Sequence, residues 1–127
     1  MSFRGYKDLL VYKKSYSIAM EIFHISKRFP PEEKYSLTDQ VRRSSRSVCA
    51  NLAEAYRKRN YPKHLVSKLS DCDAEAAETS VHLDFAYDCG YLDRSFYHKA
   101  LENYEEIGRM LGSMMNAPEK FTQKKGI

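Results

Sequence analysis

The chain has 127 residues, of which 43% are hydrophobic and 30% charged, and it carries a formal net charge of +4. That length suits one domain built around one core. Glycine and proline are scarce, and only Pro62 lies between the first loop and the C-terminal tail. A β-sandwich or barrel would need many more turn signals. No stretch approaches the roughly 20 apolar residues needed to span a bilayer. Met1 to Lys14 shows no apolar run before a small-residue cleavage site, so a cytoplasmic protein with no membrane association is expected. The three cysteines, Cys49, Cys72 and Cys89, form no C-x-x-C pair and are expected to be reduced thiols buried on helices. Cys72 and Cys89 share one predicted helix and sit roughly 25 Å apart, beyond disulfide reach.

Four helical segments follow in order. The first runs from about Tyr6 to Arg28. Tyr12, Tyr16, Ala19 and Phe23 form one stripe, and Ile18, Ile22, Ile25 and Phe29 form a second beside it. Phe29-Pro30-Pro31 stops this helix, because proline disfavours helical geometry at the residue before it. The second runs from about Ser36 to Arg59, with Leu37, Val41, Ser44, Val48, Asn51 and Ala55 as its inner stripe. Those small and polar residues predict close, partly hydrogen-bonded packing. The third runs from about Tyr61 to Cys89. Leu65, Leu69, Cys72, Ala76, Thr79, Leu83 and Ala86 alternate steps of four and three along it. Pro62 suits its first turn, and Gly90 is a plausible C-terminal cap. Asp93 is a good N-cap for the fourth, over about 94–115, where Tyr97, Leu101, Tyr104, Gly108, Leu111 and Met115 keep the same rhythm. Residues 116–127 form a tail. Short loops make neighbouring helices antiparallel, so an all-α, up-down-up-down four-helix bundle is expected. The first and third helices carry more apolar or small-residue surface than one seam requires, which predicts a subunit interface.

Charge is unevenly placed. From Lys34 to Lys68 the bases include Arg42, Arg43, Arg46, Arg57, Lys58, Arg59 and Lys63, opposed only by Asp39 and Glu54. From Asp71 to Asp93 there are seven acids and no lysine or arginine. Two readings stand side by side. The basic residues contact nucleic-acid phosphates, or basic helix 2 pairs with acidic helix 3 within or between subunits. Asn51 and Glu54, one turn apart, are expected to form a polar clamp with Gln40, Arg43 or Ser47. Removal of a fully buried Glu54 partner would cost of order 3–5 kcal/mol.

Enzymatic chemistry finds no footing. A di-iron bundle site needs two Glu-x-x-His pairs and two further inward carboxylates. Glu21 and His24 make one such pair, on a polar stripe. His64, His82 and His98 lack ligand spacing, and no Gly-rich phosphate loop or nucleophile motif is present. No catalytic residue, cofactor or metal is expected.

The motifs carry a resemblance. Phe3-Arg4, Tyr6-Lys7-Asp8-Leu9 and Val11-Tyr12-Lys13-Lys14 are similar to the opening of the four-helix-bundle proteins encoded by 23S rRNA intervening sequences. So are Phe29-Pro30 with Glu33, Gln40 with Arg42 and Arg43, Ser47 with Asn51, Ala53 and Glu54, and Cys89-Gly90-Tyr91. The family is related to the accessory variability determinant of diversity-generating retroelements, a pentameric basic barrel that binds nucleic acid and a reverse transcriptase. The resemblance implies a bacterial homopentamer with RNA or DNA binding. Three positions depart from the family pattern: Ala55 replaces a glycine, Ala74-Glu75 replaces a Gly-Ser pair, and Arg46 replaces an apolar residue. Glu75 facing Arg46 would compensate two of these changes. The resulting expectation is a non-enzymatic oligomer that binds nucleic acid, RNA in particular. The alternative is an interaction module that recruits a protein partner such as a reverse transcriptase.

Overall fold

The computed structural model describes residues 5–121, which form four α-helices and three short 3-10 turns, with no strand among them. The helices are α1 (Leu10–Ser26), α2 (Leu37–Arg57), α3 (Pro62–Asp88) and α4 (Arg94–Asn116). Each packs against its two neighbours around the bundle, and α1 does not meet α3 across the centre. Side-chain contacts fix the antiparallel register. Arg42 reaches Ser26, Thr79 reaches Ser44, Tyr97 reaches Asp84, and Lys14 reaches Glu106. The architecture is the all-α four-helix bundle that the periodicity predicts.

The α3 stripe is the clearest match. Leu65, Leu69, Cys72, Ala76, Thr79, Leu83 and Ala86 are the buried residues of that helix. On α2 the buried set is Thr38, Val41, Ser44, Ser45, Val48, Cys49, Leu52 and Ala55, while Leu37 and Asn51 are half-buried. The two helices share the broadest interface in the bundle. Small side chains permit it, and hydroxyls on the seam find local partners. Ser44 Oγ and Thr79 Oγ1 lie 2.7 Å apart, and Thr79 also donates to the Glu75 carbonyl at 2.8 Å. The Cys72 thiol points at the Val48 carbonyl at 3.6 Å.

Two stripes differ from expectation. On α1 the core face is Val11, Ser15, Ile18, Ala19, Ile22 and Ser26, whereas Tyr12 and Phe23 are half-buried and Tyr16 is exposed. The serines enter the core because each donates to a carbonyl on the preceding turn: Ser15 to Val11 and Ser26 to Phe23. On α4 the core face is Ala100, Tyr104, Ile107, Leu111 and Met114, so it is rotated from the predicted stripe, which shares only Tyr104 and Leu111 with it. Tyr97 moves to the rim because its hydroxyl needs a polar partner. It stacks on Tyr87 with ring centroids 4.2 Å apart and donates to Asp84 at 2.6 Å. The cysteines also divide. Cys49 and Cys72 are buried, and burial pushes their thiols up to about 11 and about 12. Cys89 is exposed, because it caps α3 just beyond the last helical residue.

Helix ends follow the punctuation. Pro62 occupies the first turn of α3, and Asp93 accepts from the Phe96 amide at 2.8 Å to cap α4. Gly90 takes φ 83° past α3. Its amide donates to Tyr87, and the Tyr91 amide donates to Ala86, which is the paired pattern of a Schellman cap. This cap turns Tyr91 onto Phe29, with ring centroids 5.5 Å apart, and lets its hydroxyl donate to Glu33 Oε2 at 3.0 Å. Glu33 Oε1 accepts from Ser36 Oγ at 2.6 Å and from the Leu37 amide at 3.3 Å. One carboxylate thus caps α2 and ties the α1–α2 loop to the α3–α4 loop.

The latch makes stability depend on pH in both directions. The hydrogen bond from Ser36, then that from Tyr91, hold the Glu33 carboxyl below its ordinary 4.5. A depressed carboxylate contributes stability above its unfolded pKa and loses it as pH falls through the folded value. Glu33 pushes the Tyr91 phenol up from 10.0 to about 12. A raised phenol contributes below 10 and loses its contribution as pH climbs towards about 12. The Tm difference between the parent and Tyr91→Phe should therefore be greatest at neutral pH and shrink on both the acid and alkaline limbs. A difference that stays flat across both limbs would remove the latch.

Candidate nucleic-acid interface

With one side of α2 committed to the core, Arg43 and Arg46 are exposed and Arg42 is half-buried. Phe23, near the end of α1, gathers three cations. Lys27 Nζ, the Arg42 guanidinium and the Arg46 guanidinium lie 4.7, 4.9 and 5.7 Å from its ring centroid. Arg42 is fixed further by donation from Nε to Ser26 Oγ at 2.8 Å. Among the described residues, Lys27, Arg42, Arg43 and Arg46 make no ion pair. A ring face attracts cations without neutralising them, so the cluster stays positive.

Beside the cluster runs a groove of about 430 Å³, lined by Lys34, Tyr35, Thr38, Asp39, Arg42, Arg43 and Arg46. Tyr35 is 85% exposed, with Lys34 Nζ 5.3 Å from its ring centroid. Sequence reasoning counted Lys34 as one base among many and missed Tyr35 and Lys27. Phe23 was assigned to an apolar stripe. The available signal was the one-turn spacing of Phe23 and Lys27 on a helix that ends beside α2.

The other predicted bases sit elsewhere. Arg42 and Arg57 are about 22 Å apart along α2, so the expected single basic patch is two regions. Arg57 closes α2, Lys58 caps it, and Lys63 lies in the first turn of α3, all three exposed. Arg59 lies beyond the helix, donates to the Tyr56 carbonyl at 3.1 Å and stacks 4.2 Å from the Tyr56 ring centroid. Positive charge there complements the negative end of the helix dipole.

Of the clamp residues, Asn51 meets one of its expected partners, Ser47, while Gln40 and Glu54 lie apart from it within the chain. Asn51 donates to the Ser47 carbonyl and hydroxyl at 3.0 and 3.1 Å. Gln40 is exposed three turns away, in a groove with Leu37, His82, Phe85 and Cys89. Glu54 pairs with Lys68 at 2.7 Å, and Lys68 also reaches Asp71 at 3.6 Å. Burial and Glu78 raise the Glu75 carboxyl, while Ser47 and Arg43 act in the opposite sense. Glu75 thus sits by Ser47 and Arg43, and the expected compensation of Arg46 by Glu75 is not made within the chain. Glu21 of the one Glu-x-x-His pair binds Lys99 at 2.7 Å. No cluster of three His, Cys, Asp or Glu suited to a metal ion occurs among the described residues. No helix among them is long and apolar enough to cross a membrane.

The fold and its arginine-lined flank define a four-helix bundle with a basic surface at the start of α2. The chain belongs to the 23S rRNA-intervening sequence protein family, whose model matches residues 7–113. It is also similar to a crystal structure of a protein of unknown function from the S23 ribosomal protein family of Bacteroides thetaiotaomicron. That similarity has a TM-score of 0.76 and 28% identity, and it covers 84% of this chain and 96% of that one. No curated protein matches the chain.

The Glu54 pair supplies a test of the clamp. Its carboxylate is 58% exposed, so the pair is screened by solvent and the cost expected of a buried partner does not apply. Glu54→Ala should shift unfolding free energy by less than about 1 kcal/mol, measured by urea denaturation. A larger loss would show that Glu54 is buried by another subunit.

Proposed function

We propose that the chain is a non-enzymatic, cytoplasmic, homo-oligomeric bundle that binds nucleic acid, RNA in particular, through the basic flank of α2. The carrying observation is the Lys27–Arg42–Arg46 cluster around Phe23. Like charges held together without a carboxylate repel one another, and a polyanion relieves that cost. The family name associates these proteins with 23S rRNA intervening sequences, which favours RNA over DNA. The reading assigns no catalytic residue, cofactor or metal.

Two exposed apolar faces support assembly. Tyr16 and Met20 are 52% and 39% exposed on α1, and Val81 and Phe85 are 49% and 61% exposed on α3. α1 and α3 lie diagonally across the bundle with their backbones apart, so their exposed faces look in different directions. Pairing one with the other between copies is a heterologous contact, which forms a ring where the rotation between copies closes. A homopentamer, as the family resemblance implies, is one such ring. Light scattering at micromolar concentration should give several times the 14.8 kDa chain mass. A stable monomer would sink the assembly.

A second reading, an accessory module that recruits a protein partner such as a reverse transcriptase, is favoured by Phe85 in its groove with Leu37 and His82. Salt separates the two. Nucleic-acid affinity should fall steeply with salt. Arg43→Ala/Arg46→Ala should flatten the slope by about 0.7 for each phosphate of a single strand that is no longer neutralised. The Arg57/Lys58/Arg59→Ala variant, measured in parallel, reports whether the far end contributes. Unchanged affinity and slope in both variants would favour the protein-partner reading.

A further inference from the structure

We infer that the groove at the start of α2 takes a single-stranded polynucleotide, with one unpaired base stacked on Tyr35 and the neighbouring phosphates on Arg43 and Arg46. The inference rests on the nucleic-acid reading of the same flank and adds the strandedness of the ligand and the residue that reads it.

Tyr35 is the most exposed large apolar side chain among the described residues, at 85%. It is not a loose end. The backbone around it is closed by donation from the Lys34 amide to Pro31 and from the Ser36 amide to Glu33. Glu33 then accepts from the Ser36 hydroxyl and the Leu37 amide. Tyr35 is therefore bracketed by Lys34, held by a backbone carbonyl, and by Ser36, held by the Glu33 carboxylate, and its exposed ring stands on a closed turn. The cost of exposing so much ring is offset when a base covers it.

The surroundings match a single strand. An aromatic face beside a basic track is how proteins hold unpaired nucleotides, because every base has a π-face and every linkage a phosphate. In a duplex the bases are stacked on one another and offer no face to a side chain, so the tyrosine would add nothing there. Arg42 donates from its Nε to Ser26, while Arg43 and Arg46 are exposed at the groove wall, Arg43 beside Glu75 and Arg46 over the Phe23 ring, and reach the phosphates. Asp39 lines the same groove and repels the backbone on that side, which sets the strand along the arginine edge. The ring carries no base-specific hydrogen bond, so sequence preference should be slight, and RNA and DNA strands should feel the tyrosine equally.

The test is fluorescence anisotropy with a labelled single-stranded RNA, the DNA strand of the same sequence, and a blunt-ended duplex of two separate complementary strands, using the assembled protein at fixed salt. Tyr35→Ala should weaken both single strands by about five- to a hundredfold, the range for removal of one base stack, and leave duplex affinity and salt slope unchanged. Tyr35→Phe should bind as the parent does. Arg43→Ala/Arg46→Ala should weaken all three ligands. If the parent binds none of them, the underlying nucleic-acid reading fails. If the parent binds but Tyr35→Ala matches it, or loses duplex affinity equally, the stacking inference fails while nucleic-acid binding stands. A Tyr35→Ala variant with altered mass by light scattering would overturn the inference by showing that the ring is covered by another subunit.

Discussion

The close approach of α2 and α3 is the constraint on which the remaining structure depends. Small or hydroxylated side chains are buried on both helices, and at the seam Ser44 meets Thr79 while the Cys72 thiol points at the Val48 carbonyl. Such residues bring backbones near each other, but they bury polar atoms, and a buried polar atom without a partner costs about 1–3 kcal/mol. The Ser44–Thr79 pair and the Glu75 carbonyl meet that need together. Thr79 has one proton to give. If it goes to Glu75, the Ser44 hydroxyl must supply the bridge, so the three groups orient one another. A large apolar residue on either helix would separate them and displace the larger side chains at the ends of the seam.

The same commitment explains where the charge goes. A helix that buries one small-residue side has little room for a carboxylate partner beside each arginine, and α2 places its guanidinium groups at the rim. Aromatic faces pack against several of them there. Phe23 packs Arg42 and Arg46, and Tyr56 packs Arg59. A ring face holds a guanidinium in place without cancelling its charge, and Arg42 and Arg59 also donate to Ser26 and to the Tyr56 carbonyl. The acids of α3 meet this surface only where Glu75 lies by Arg43. Asp71 turns to Lys68, Asp84 accepts from Tyr97, and Glu75 is pressed against Glu78.

How much of this was legible depended on how a residue earns its place. The α3 stripe was fully legible because its apolar and small residues have no polar business elsewhere. The α4 stripe was displaced because Tyr97 behaves as a polar residue once Asp84 is near, and heptad counting treats it as a hydrophobe. Ser15 and Ser26 entered the core through carbonyls of their own helix, which a one-letter pattern does not display. The basic residues were visible as letters, but their division into two regions needed the length of α2. The Phe23 platform needed two helices brought together, and Tyr35 looked like any loop aromatic until its exposure was known.

The motifs that suggested kinship converge in space. Phe29, Glu33 and Tyr91 come from two loops far apart in sequence, and they meet at one end of the bundle through a ring contact and a hydrogen bond. Glu33 faces two ways. Towards the core end it receives Tyr91, and towards α2 it receives Ser36 and Leu37. The residues between, Lys34 and Tyr35, are the ones that enter the groove. Packing at the closed end of the bundle is therefore transmitted to the presentation of the groove by a single carboxylate. Protonating that carboxylate, or removing the Tyr91 hydroxyl, loosens the turn without touching any arginine. On the stacking inferred above, such a change would weaken the base contact while leaving the attraction proposed for the flank in place, so the two proposed contributions are physically separable.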